Sequence, residues 1–157
     1  MGKKVLEVKD LVTTFRIGKK EYEVLRGVSF DIEENETLCM VGESGCGKSV
    51  TTLSIMDLLP NNGRVVSGSI KLNGQELTTL SPKERNALRG KQMGMIFQEP
   101  MTALNPVLRI RSQMYEAFEG EKLSKEEKRR RAIELLKLVG IPSPETRLDE
   151  YPHQFSG

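Results

Sequence analysis

The residues best suited to chemistry lie between Gly42 and Ser49, which read Gly-Glu-Ser-Gly-Cys-Gly-Lys-Ser. This stretch fits the phosphate-binding pattern G-x-x-x-x-G-K-[ST]. Its glycines permit backbone conformations that a Cβ atom disfavours, so that several N–H groups can converge on a phosphate. The lysine adds a mobile positive charge, and the final hydroxyl is placed to ligate Mg²⁺. The spacing therefore predicts a site for nucleotide phosphates and Mg²⁺.

The sequence on either side of this loop predicts the elements that position it. The apolar run Leu38–Val41 precedes the loop and is typical of a buried strand. Val50–Leu59 follows, carries apolar residues at helical spacing and stops before Pro60. A helix that begins at the loop directs the positive end of its dipole at a phosphate. The alternative, a glycine-rich turn that ends in Lys-Ser by chance, is disfavoured by this context.

Composition restricts the class of protein. The chain has 157 residues, of which 37% are hydrophobic and 29% charged, and its formal net charge is +2. This size suits one domain with a subdomain. The small net charge gives no reason to expect nucleic acid as a partner. No apolar run reaches the ~18 residues of a membrane span, and the N-terminus lacks the apolar core of a signal peptide.

The two cysteines, Cys39 and Cys46, lack the spacing of metal ligands. We expect Cys39 to be a small buried residue of the strand, and we expect no disulfide between the two. Cys46 occupies a loop position that is open to any small residue. Its thiol is expected to be accessible, with Lys48 nearby to favour the thiolate. A redox role for Cys46 is the minority alternative.

Apolar patterns elsewhere predict further strands. Alternation of apolar and polar residues indicates half-buried strands, and a continuous apolar run indicates a fully buried one. The predicted strands are Val5–Leu11, Tyr22–Ile32, Ser67–Gly74 and Met93–Phe97. A turn at Gly18–Lys20 joins the first two, and an Asn-Gly turn ends the third. The last strand delivers Gln98.

Helices are predicted at several places in the second half of the chain. Ser81–Glu84 and Ser124–Glu127 are both capping boxes, the first with proline at the first helical position. The first opens a short helix, and the second opens Lys125–Val139, which Gly140 ends. Between them, Ser112–Phe118 is a further predicted helix. The expected buried stripe of the long helix consists of Ile133, Leu136 and Val139, widened by Ala132, Leu135 and Leu138.

Two charged features are expected to be solvated. Lys128–Arg131 is a basic run on the long helix, and a solvated face is the expected structure. Contact with nucleic acid or lipid headgroups is the minority alternative. His153 is the only histidine, and nothing near it resembles a nucleophile elbow. We therefore expect His153 to lie in a loop or at the surface.

Two further stretches decide which phosphate-loop family the sequence resembles. Met95–Pro100 (Met-Ile-Phe-Gln-Glu-Pro) resembles the Q-loop of ATP-binding-cassette (ABC) ATPases. Tyr151–Gly157 (Tyr-Pro-His-Gln-Phe-Ser-Gly) looks like the opening of the ABC signature motif. With the phosphate loop, they closely resemble ATP-binding subunits of dipeptide and oligopeptide importers, and related nickel and glutathione importers share these strings. No Asn-Lys-x-Asp guanine-reading motif appears, which counts against a GTPase.

The resemblance implies an α/β fold of the P-loop NTPase, ABC ATPase type. It implies an N-terminal antiparallel β-subdomain and a helical subdomain, incomplete at the C-terminus. We expect residues 1–99 to form the nucleotide-binding core and 100–157 the helical subdomain. In the family a second signature glycine, a strand ending in Asp-Glu and a histidine loop follow, so an N-terminal fragment is expected. Because the family's activating Glu is among these, the fragment alone is expected to lack turnover.

The resemblance also assigns roles to residues. Phe15 would stack on adenine, with a core position as its alternative. Lys48 and Gln98 would serve catalysis, and Ser49 and Gln98 would bind Mg²⁺. Ser156 and Gly157 would contact the γ-phosphate bound by a second subunit. The remaining ATP contacts would come from the loop and the start of the helix, namely Gly42, Ser44, Gly45, Cys46, Gly47, Lys48, Ser49 and Val50.

The implied partners are a second ATP-binding subunit, the same or different, and transmembrane permease subunits. An extracytoplasmic substrate-binding protein would take part indirectly, and no nucleic acid is expected. Glu99–Pro106 is expected to form part of the permease contact, and the chain would lie peripherally on the cytoplasmic face of the membrane. Two alternatives remain, a non-transport ABC ATPase of the DNA repair or chromosome type and a nucleotide-binding fragment without hydrolysis. The compact spacing from Lys48 to Gln98 disfavours the first.

Overall fold

The computed structural model describes residues 2–97 and 103–155 of the chain. The chain divides into two compact units, Met1–Gly94 and Met95–Gly157. Each unit has its own cluster of buried apolar side chains. Within the described ranges, no helix combines the length and the hydropathy needed to cross a membrane.

The first unit is built on a four-stranded antiparallel sheet in the order β2-β1-β3-β4. The strands are β1 (Lys4–Ile17), β2 (Lys20–Glu33), β3 (Gly63–Leu72) and β4 (Gln75–Glu76). Gly18, with φ of +62°, opens the two-residue loop between β1 and β2. Asn73 and Gly74 have φ of +48° and +81°, as the predicted Asn-Gly turn requires. The expected antiparallel β-subdomain is confirmed.

A bulge in β1 explains why this strand is longer than predicted. Its register shifts against both neighbouring strands at Asp10, which has φ of +47°. The N–H of Asp10 donates to Ser29 Oγ at 2.8 Å instead of joining the regular ladder. A bulge changes which residues face the core, so that Leu11 and Thr13 are both fully buried beyond it. The interrupted alternation made the sequence pattern end at Leu11, six residues early.

Two helices complete the first unit, α1 (Lys48–Met56) and α2 (Pro82–Leu88). The predicted capping box of α2 is confirmed, since Ser81 N donates to Glu84 Oε2 at 2.8 Å and Glu84 N donates to Ser81 Oγ at 3.4 Å. α1 begins two residues before its predicted start, and its C-cap is Asp57, whose φ is +53°. The buried apolar core of the unit consists of Val8, Leu11, Leu25, Ile70, Leu77 and Leu88.

Two predicted strands are wrong in the described chain. Leu38–Val41 has no ladder partner among the described residues, and Val41 is 85% exposed. In Met93–Phe97, only Met93 forms a bridge, with Arg89, and Ile96 is 96% exposed. A run that is apolar on both faces needs a neighbouring strand and covering layers. The described part of the chain supplies neither, and apart from the Arg89–Met93 bridge both runs are unpaired there.

The second unit consists of helices. They are α3 (Ile110–Glu116), α4 (Lys125–Leu138) and α5 (Pro144–Arg147), followed by a 3₁₀ turn, Pro152–Gln154. The predicted capping box of α4 is confirmed, since Ser124 N donates to Glu127 Oε2 at 2.7 Å and Glu127 N donates to Ser124 Oγ at 3.2 Å. Gly140 ends α4 with φ of +77°, as predicted. α3 starts two residues earlier than the predicted helix.

The buried face of α4 is narrower than the predicted stripe. Ala132 is fully buried and Leu136 is 8% exposed, so they form its centre, with Ile133 partly buried beside them. Leu135, Leu138 and Val139 are 40%, 82% and 69% exposed, which corrects their predicted place in the buried stripe. Leu138 is two residues, about 200° of helical rotation, from the buried Leu136, and Val139 is the C-cap that follows the last turn. The core of this unit consists of Ile110, Phe118, Ala132, Leu136 and Leu148.

Candidate nucleotide-binding site

The predicted phosphate loop leads directly into α1, because Gly47 is the N-cap of this helix. Gly45 and Gly47 have φ of +81° and +99°, in the left-handed region that favours glycine. At Gly47 there is also no room for a side chain, since an added Cβ atom would lie 2.8 Å from Leu25 Cδ2. Leu25 belongs to β2, so the sheet packs against the point at which loop becomes helix. Glycine is therefore required at position 47 for two separate reasons.

Lys48 closes the loop on itself. Its Nζ donates to the carbonyl oxygens of Gly42 at 2.6 Å and Glu43 at 2.7 Å, and lies 3.4 Å from Cys46 Sγ. An added Cβ atom on Gly42 would lie 2.6 Å from that sulfur, so the first glycine of the loop is in close contact with Cys46. The ammonium group is thus held at the centre of the loop by the loop's own backbone.

The first turn of α1 offers backbone donors beside this ammonium group. The first hydrogen bond of the helix runs from Thr51 N to Gly47 O at 2.8 Å. The N–H groups of residues 48–50 precede it and have no acceptor within the helix. Ser49 is exposed at this turn. Unpaired N–H groups, a lysine and an exposed hydroxyl form the combination that binds phosphates and an accompanying cation.

Polar side chains, not the predicted apolar stripe, form the buried face of α1. Thr51 and Ser54 are the buried residues of this helix, and their hydroxyls donate to Gly47 O at 3.0 Å and Val50 O at 2.7 Å. Ser54 Oγ also lies 2.9 Å from Thr13 Oγ1 on β1, a buried hydrogen bond between helix and sheet. The pattern of apolar residues missed Thr51 and Ser54 because serine and threonine are not counted as apolar. Through the Ser54–Thr13 hydrogen bond, α1 is held against the sheet, and with it the loop that leads into α1.

Both cysteines are exposed. The prediction that Cys39 is buried is wrong, for the same reason that its strand is unpaired. The expected accessibility of the Cys46 thiol is confirmed, and its nearest cation is Lys48.

Ser44 is exposed at the turn of the loop, and Val50 packs against the core of the first unit.

Phe15 lies within β1, although the predicted strand Val5–Leu11 ends before it. Its ring covers the backbone of Gly63 on β3, where an added Cβ atom would lie 2.9 Å from Phe15 Cε1. The ring is half-buried. This contact gives Phe15 a packing function in the sheet, and its stacking on adenine stays a prediction.

Several predicted residues lie outside the described part of the chain. These are Gln98, Ser156, Gly157 and the first half of Glu99–Pro106. Within the described ranges, no group of three or more His, Cys, Asp or Glu side chains is arranged to hold a metal ion. The candidate Mg²⁺ ligand that the structure does describe is Ser49.

The basic run on α4 is engaged within its own unit. Arg129 Nη2 donates to Asp149 Oδ2 at 3.1 Å, and Arg131 pairs with Glu121 while its guanidinium lies 5.1 Å from the ring centroid of Phe118. These side chains remain 40% and 48% exposed. The expected solvated face is therefore confirmed for Arg129 and Arg131, whose charges are balanced by the carboxylates of Asp149 and Glu121.

Solved structures with this fold are ATP-binding cassettes. One, titled "Dimeric structure of a post-hydrolysis state of the ATP-binding cassette MJ0796 bound to ADP and Pi", aligns with a TM-score of 0.81 and 25% identity over 96% of this chain and 63% of that one. Another, "Dimeric Structure of MJ0796, a Bacterial ABC Transporter Cassette", aligns with a TM-score of 0.79 and 26% identity over 97% and 63%. The expected fold class is therefore confirmed.

Curated relatives match nearly the entire chain. The oligopeptide transport ATP-binding protein OppD of Bacillus subtilis (strain 168) is 50% identical over 98% of this chain and 44% of its own length. The dipeptide transport ATP-binding protein DppD of the same organism is 49% identical, over 98% and 47%. DppD of Escherichia coli (strain K12) is 43% identical, over 98% and 47%. The chain thus spans slightly less than half the length of these relatives.

A protein-family model described as "ABC transporter" matches residues 25–157, which include the phosphate loop, α1 and the whole of the helical unit. Together with the loop geometry and the cassette fold, this match leads to one conclusion. The chain belongs to the ABC transporter family.

Proposed function

We propose that this chain supplies the phosphate-binding part of an ATP-binding subunit that powers the uptake of di- or oligopeptides. The observation that carries the proposal is the loop in which Lys48 Nζ lies 2.6 Å from Gly42 O, at the start of α1. The peptide substrate class is supported by the names of the curated relatives, which are oligopeptide and dipeptide transport ATP-binding proteins.

In this proposal ATP takes the place of the loop's own carbonyl oxygens as the partner of Lys48. The lysine moves to the β- and γ-phosphates, and the N–H groups of residues 48–50 donate to phosphate oxygens. Phe15 stacks on adenine through the face that does not cover Gly63. Phosphoryl transfer depends mainly on such positioning and charge stabilisation. Mg²⁺, held by Ser49 and Gln98, would neutralise charge on the phosphates.

The proposed site is completed by other chains. Ser156 and Gly157 would contact the γ-phosphate bound by a second ATP-binding subunit, and the similar cassette MJ0796 is itself described as dimeric. Permease subunits would contact Glu99–Pro106, and the protein would then lie peripherally on the cytoplasmic face of the membrane. Residues 1–99 would act as the nucleotide-binding core and 100–157 as the helical subdomain. The isolated chain is proposed to bind MgATP with little or no turnover.

A thermal unfolding titration tests nucleotide binding. A ligand that binds only the folded state adds about 2.7 kcal/mol at ~100 times its Kd. We expect MgATP to raise the Tm of the wild-type chain, MgGTP to do so less, and Lys48→Ala to abolish the shift. Lys71→Ala is the matched control, since Lys71 is an exposed lysine on β3 of the same unit.

Two results would contradict the proposal. If MgATP produces no shift, or if Lys48→Ala keeps the full shift, the loop does not bind nucleotide phosphates as described. If the isolated chain hydrolyses ATP steadily and Lys48→Ala abolishes this activity, only the claim of little or no turnover is contradicted, and the claim of nucleotide binding stands. For the full-length protein, uptake of a labelled dipeptide that fails in Lys48→Ala cells tests the substrate class.

A further inference from the structure

The helix that follows the phosphate loop, α1, ends at a residue that is unusual for this position. Asp57 is the C-cap of α1 and has φ of +53°, in the left-handed region that glycine or asparagine usually occupies at a helix end. Its carboxylate lies at the negative end of the helix dipole. The last turn of α1, all of which the structure describes, carries no basic residue that would offset this charge. The position therefore favours a cation supplied by another element.

Helix α2 supplies two cations to this helix end. Arg85 Nη1 donates to Asp57 Oδ1 at 2.7 Å, and Nη1 of Arg89, the C-cap of α2, lies 3.4 Å from the Asp57 carbonyl oxygen. Cations are favourable at the C-terminal end of a helix, where carbonyl oxygens lack partners within the helix. The bond from Arg85 joins two charged groups, and such hydrogen bonds are roughly twice as strong as neutral ones. Arg85 is therefore the stronger of these two links between α2 and the end of α1.

Arg85 is itself fixed by the chain that leads into α2. Its Nε donates to the carbonyl oxygen of Leu80 at 3.0 Å, and its Nη2 donates to that of Thr78 at 3.2 Å. The side chain is 27% exposed. With Asp57, all three guanidinium nitrogens have an acceptor, so the planar group is held in one orientation. Arg85 thus connects the segment between β4 and α2 to the end of α1.

Apolar packing between α1 and α2 is incomplete. A cavity of about 260 Å³ lies between α1, β3 and α2, and Ile55, Val65 and Leu88 are among the side chains that line it. Side chains beside a cavity lose the contacts that a filled core would give them. Asp57 and Arg85 also line this cavity, so their ion pair bridges the two helices where side chains do not fill the space between them.

The sheet holds the rest of α1. The hydrogen bond between Ser54 and Thr13 ties the middle of the helix to β1, and Gly47 at its start lies against Leu25 of β2. The helix has nine residues and is therefore about 14 Å long. Because a helix this short moves as one body, a shift at Asp57 changes the direction of the N–H groups at its start.

We propose that Arg85 is a positioning residue for the phosphate loop and acts through Asp57 and α1. The inference rests on the proposed function, in which the N–H groups of residues 48–50 donate to the phosphates of ATP. With the ion pair in place, α1 keeps the orientation that directs these groups at a phosphate. Arg85 lies at the other end of the helix from these donors and acts without contacting the nucleotide. Its loss weakens the binding of ATP while the unit stays folded.

Calorimetric titration of the full-length protein with MgAMP-PNP, an ATP analogue that is not hydrolysed, tests this proposal. We expect Arg85→Ala to raise the Kd about fivefold, because the lost hydrogen bond joins two charged groups and part of its free energy holds α1 in place. Asp57→Gly should raise the Kd by a similar factor, since it removes the acceptor of Arg85. The double variant should bind no more weakly than either single variant, because both changes break the same contact.

Asp57→Gly separates positioning from stability. Glycine adopts φ of +53° without strain and removes the unfavourable charge at the helix end, so the Tm should fall less than in Arg85→Ala. A similar rise in Kd despite this smaller loss of stability is then an effect on orientation. Arg26→Ala is the matched control, since Arg26 is an exposed arginine on β2 of the same unit, and its Kd should stay within about twofold of wild type.

A wild-type Kd in Asp57→Gly overturns the proposal. So does a rise in Kd that follows the loss of Tm from variant to variant, because that is a purely structural effect, and so do additive effects in the double variant. If Arg85→Ala does not fold, Asp57→Gly alone provides the test. Failure of the proposed function looks different, because the wild-type protein would then show no nucleotide binding that Lys48→Ala abolishes.

Discussion

Gly68 on β3 lies so close to Asp10 on β1 that a Cβ atom added to it would be 2.6 Å from the Asp10 carbonyl oxygen. Gly68 also has φ of +99°, so alanine there meets both backbone strain and a backbone clash. We expect Gly68→Ala to lower the free energy of unfolding by about 3 kcal/mol. Gly74→Ala, with φ of +81° and open space around it, should cost only about 1 kcal/mol. Urea denaturation measures both, and equal losses would show that the close contact between β1 and β3 is unimportant.

Glu76 gives the first unit a specific sensitivity to acid. Burial raises the pKa of this carboxyl, but hydrogen bonds from Ser69, Thr78 and Ile70 N outweigh burial and lower the pKa from 4.5 to about 2. Thr78 Oγ1 donates to it at 2.7 Å and Ile70 N at 3.0 Å. Since the folded pKa is the lower one, this stabilisation is complete above pH 4.5 and is lost as the pH falls towards 2.

The test is to compare the pH dependence of unfolding in Glu76→Gln and wild type. Above pH 4.5 the variant should be less stable by about 2 kcal/mol, and the difference should shrink as the pH falls towards 2. Glu23→Gln, at an exposed position on β2, is the control and should follow the wild-type curve. A constant difference between Glu76→Gln and wild type at every pH would argue against the carboxylate's hydrogen bonds as the cause.

Asp149 joins two helices of the second unit through two arginines. Arg129 Nη2 lies 3.1 Å and Arg111 Nη1 2.8 Å from its carboxylate. The hydrogen bond from Arg129 holds the pKa of Asp149 below its ordinary value, against the opposite effect of burial. Asp149→Asn should lower the free energy of unfolding by about 1 to 2 kcal/mol, with the loss diminishing in acid. Glu134→Gln is the control: it breaks only an exposed ion pair and should lower the free energy of unfolding by less than ~0.5 kcal/mol. Equal losses in Asp149→Asn and Glu134→Gln would contradict the role of Asp149 in joining the two helices.

The two exposed cysteines allow nucleotide binding to be observed chemically. Cys46 Sγ lies 3.4 Å from Lys48 Nζ, within the proposed phosphate site, whereas Cys39 precedes the loop. MgATP at ~100 times its Kd should slow iodoacetamide labelling of Cys46 by about tenfold or more and leave Cys39 unaffected. Mass spectrometry of Cys39→Ser and Cys46→Ser separates the two rates. Equal protection of both thiols would indicate a general change in the chain instead of direct coverage.

Local features of this fold were predictable from sequence, and features that need distant partners were not. The capping boxes at Ser81 and Ser124 and the turn at Asn73 depend only on residues within three positions, and all are confirmed. The apolar runs Leu38–Val41 and Met93–Phe97 carry strand patterns, but a strand exists only where a neighbour pairs with it. Sequence pattern identifies the tendency of such a run and cannot supply its partner.

In the candidate site, too, local features were predictable from sequence and contacts between distant residues were not. The glycines and Lys48 were found because the chemistry of phosphate binding fixes their spacing. The hydrogen bond between Thr13 and Ser54 that supports α1 joins residues far apart in the chain. From sequence alone, a buried threonine or serine of this kind looks the same as one whose hydroxyl is solvated.

The internal bonds of Lys48 have an energetic consequence for any phosphate that enters the loop. Because Nζ already donates to Gly42 O and Glu43 O, nucleotide binding is an exchange of acceptors and not the addition of a new contact. The measured binding enthalpy is then the difference between two sets of hydrogen bonds, and association includes a rotation of the lysine side chain. Calorimetry should therefore register only a modest heat of binding, although the ligand is strongly charged. Selectivity then depends on which anions bind Lys48 Nζ more strongly than the two carbonyl oxygens do.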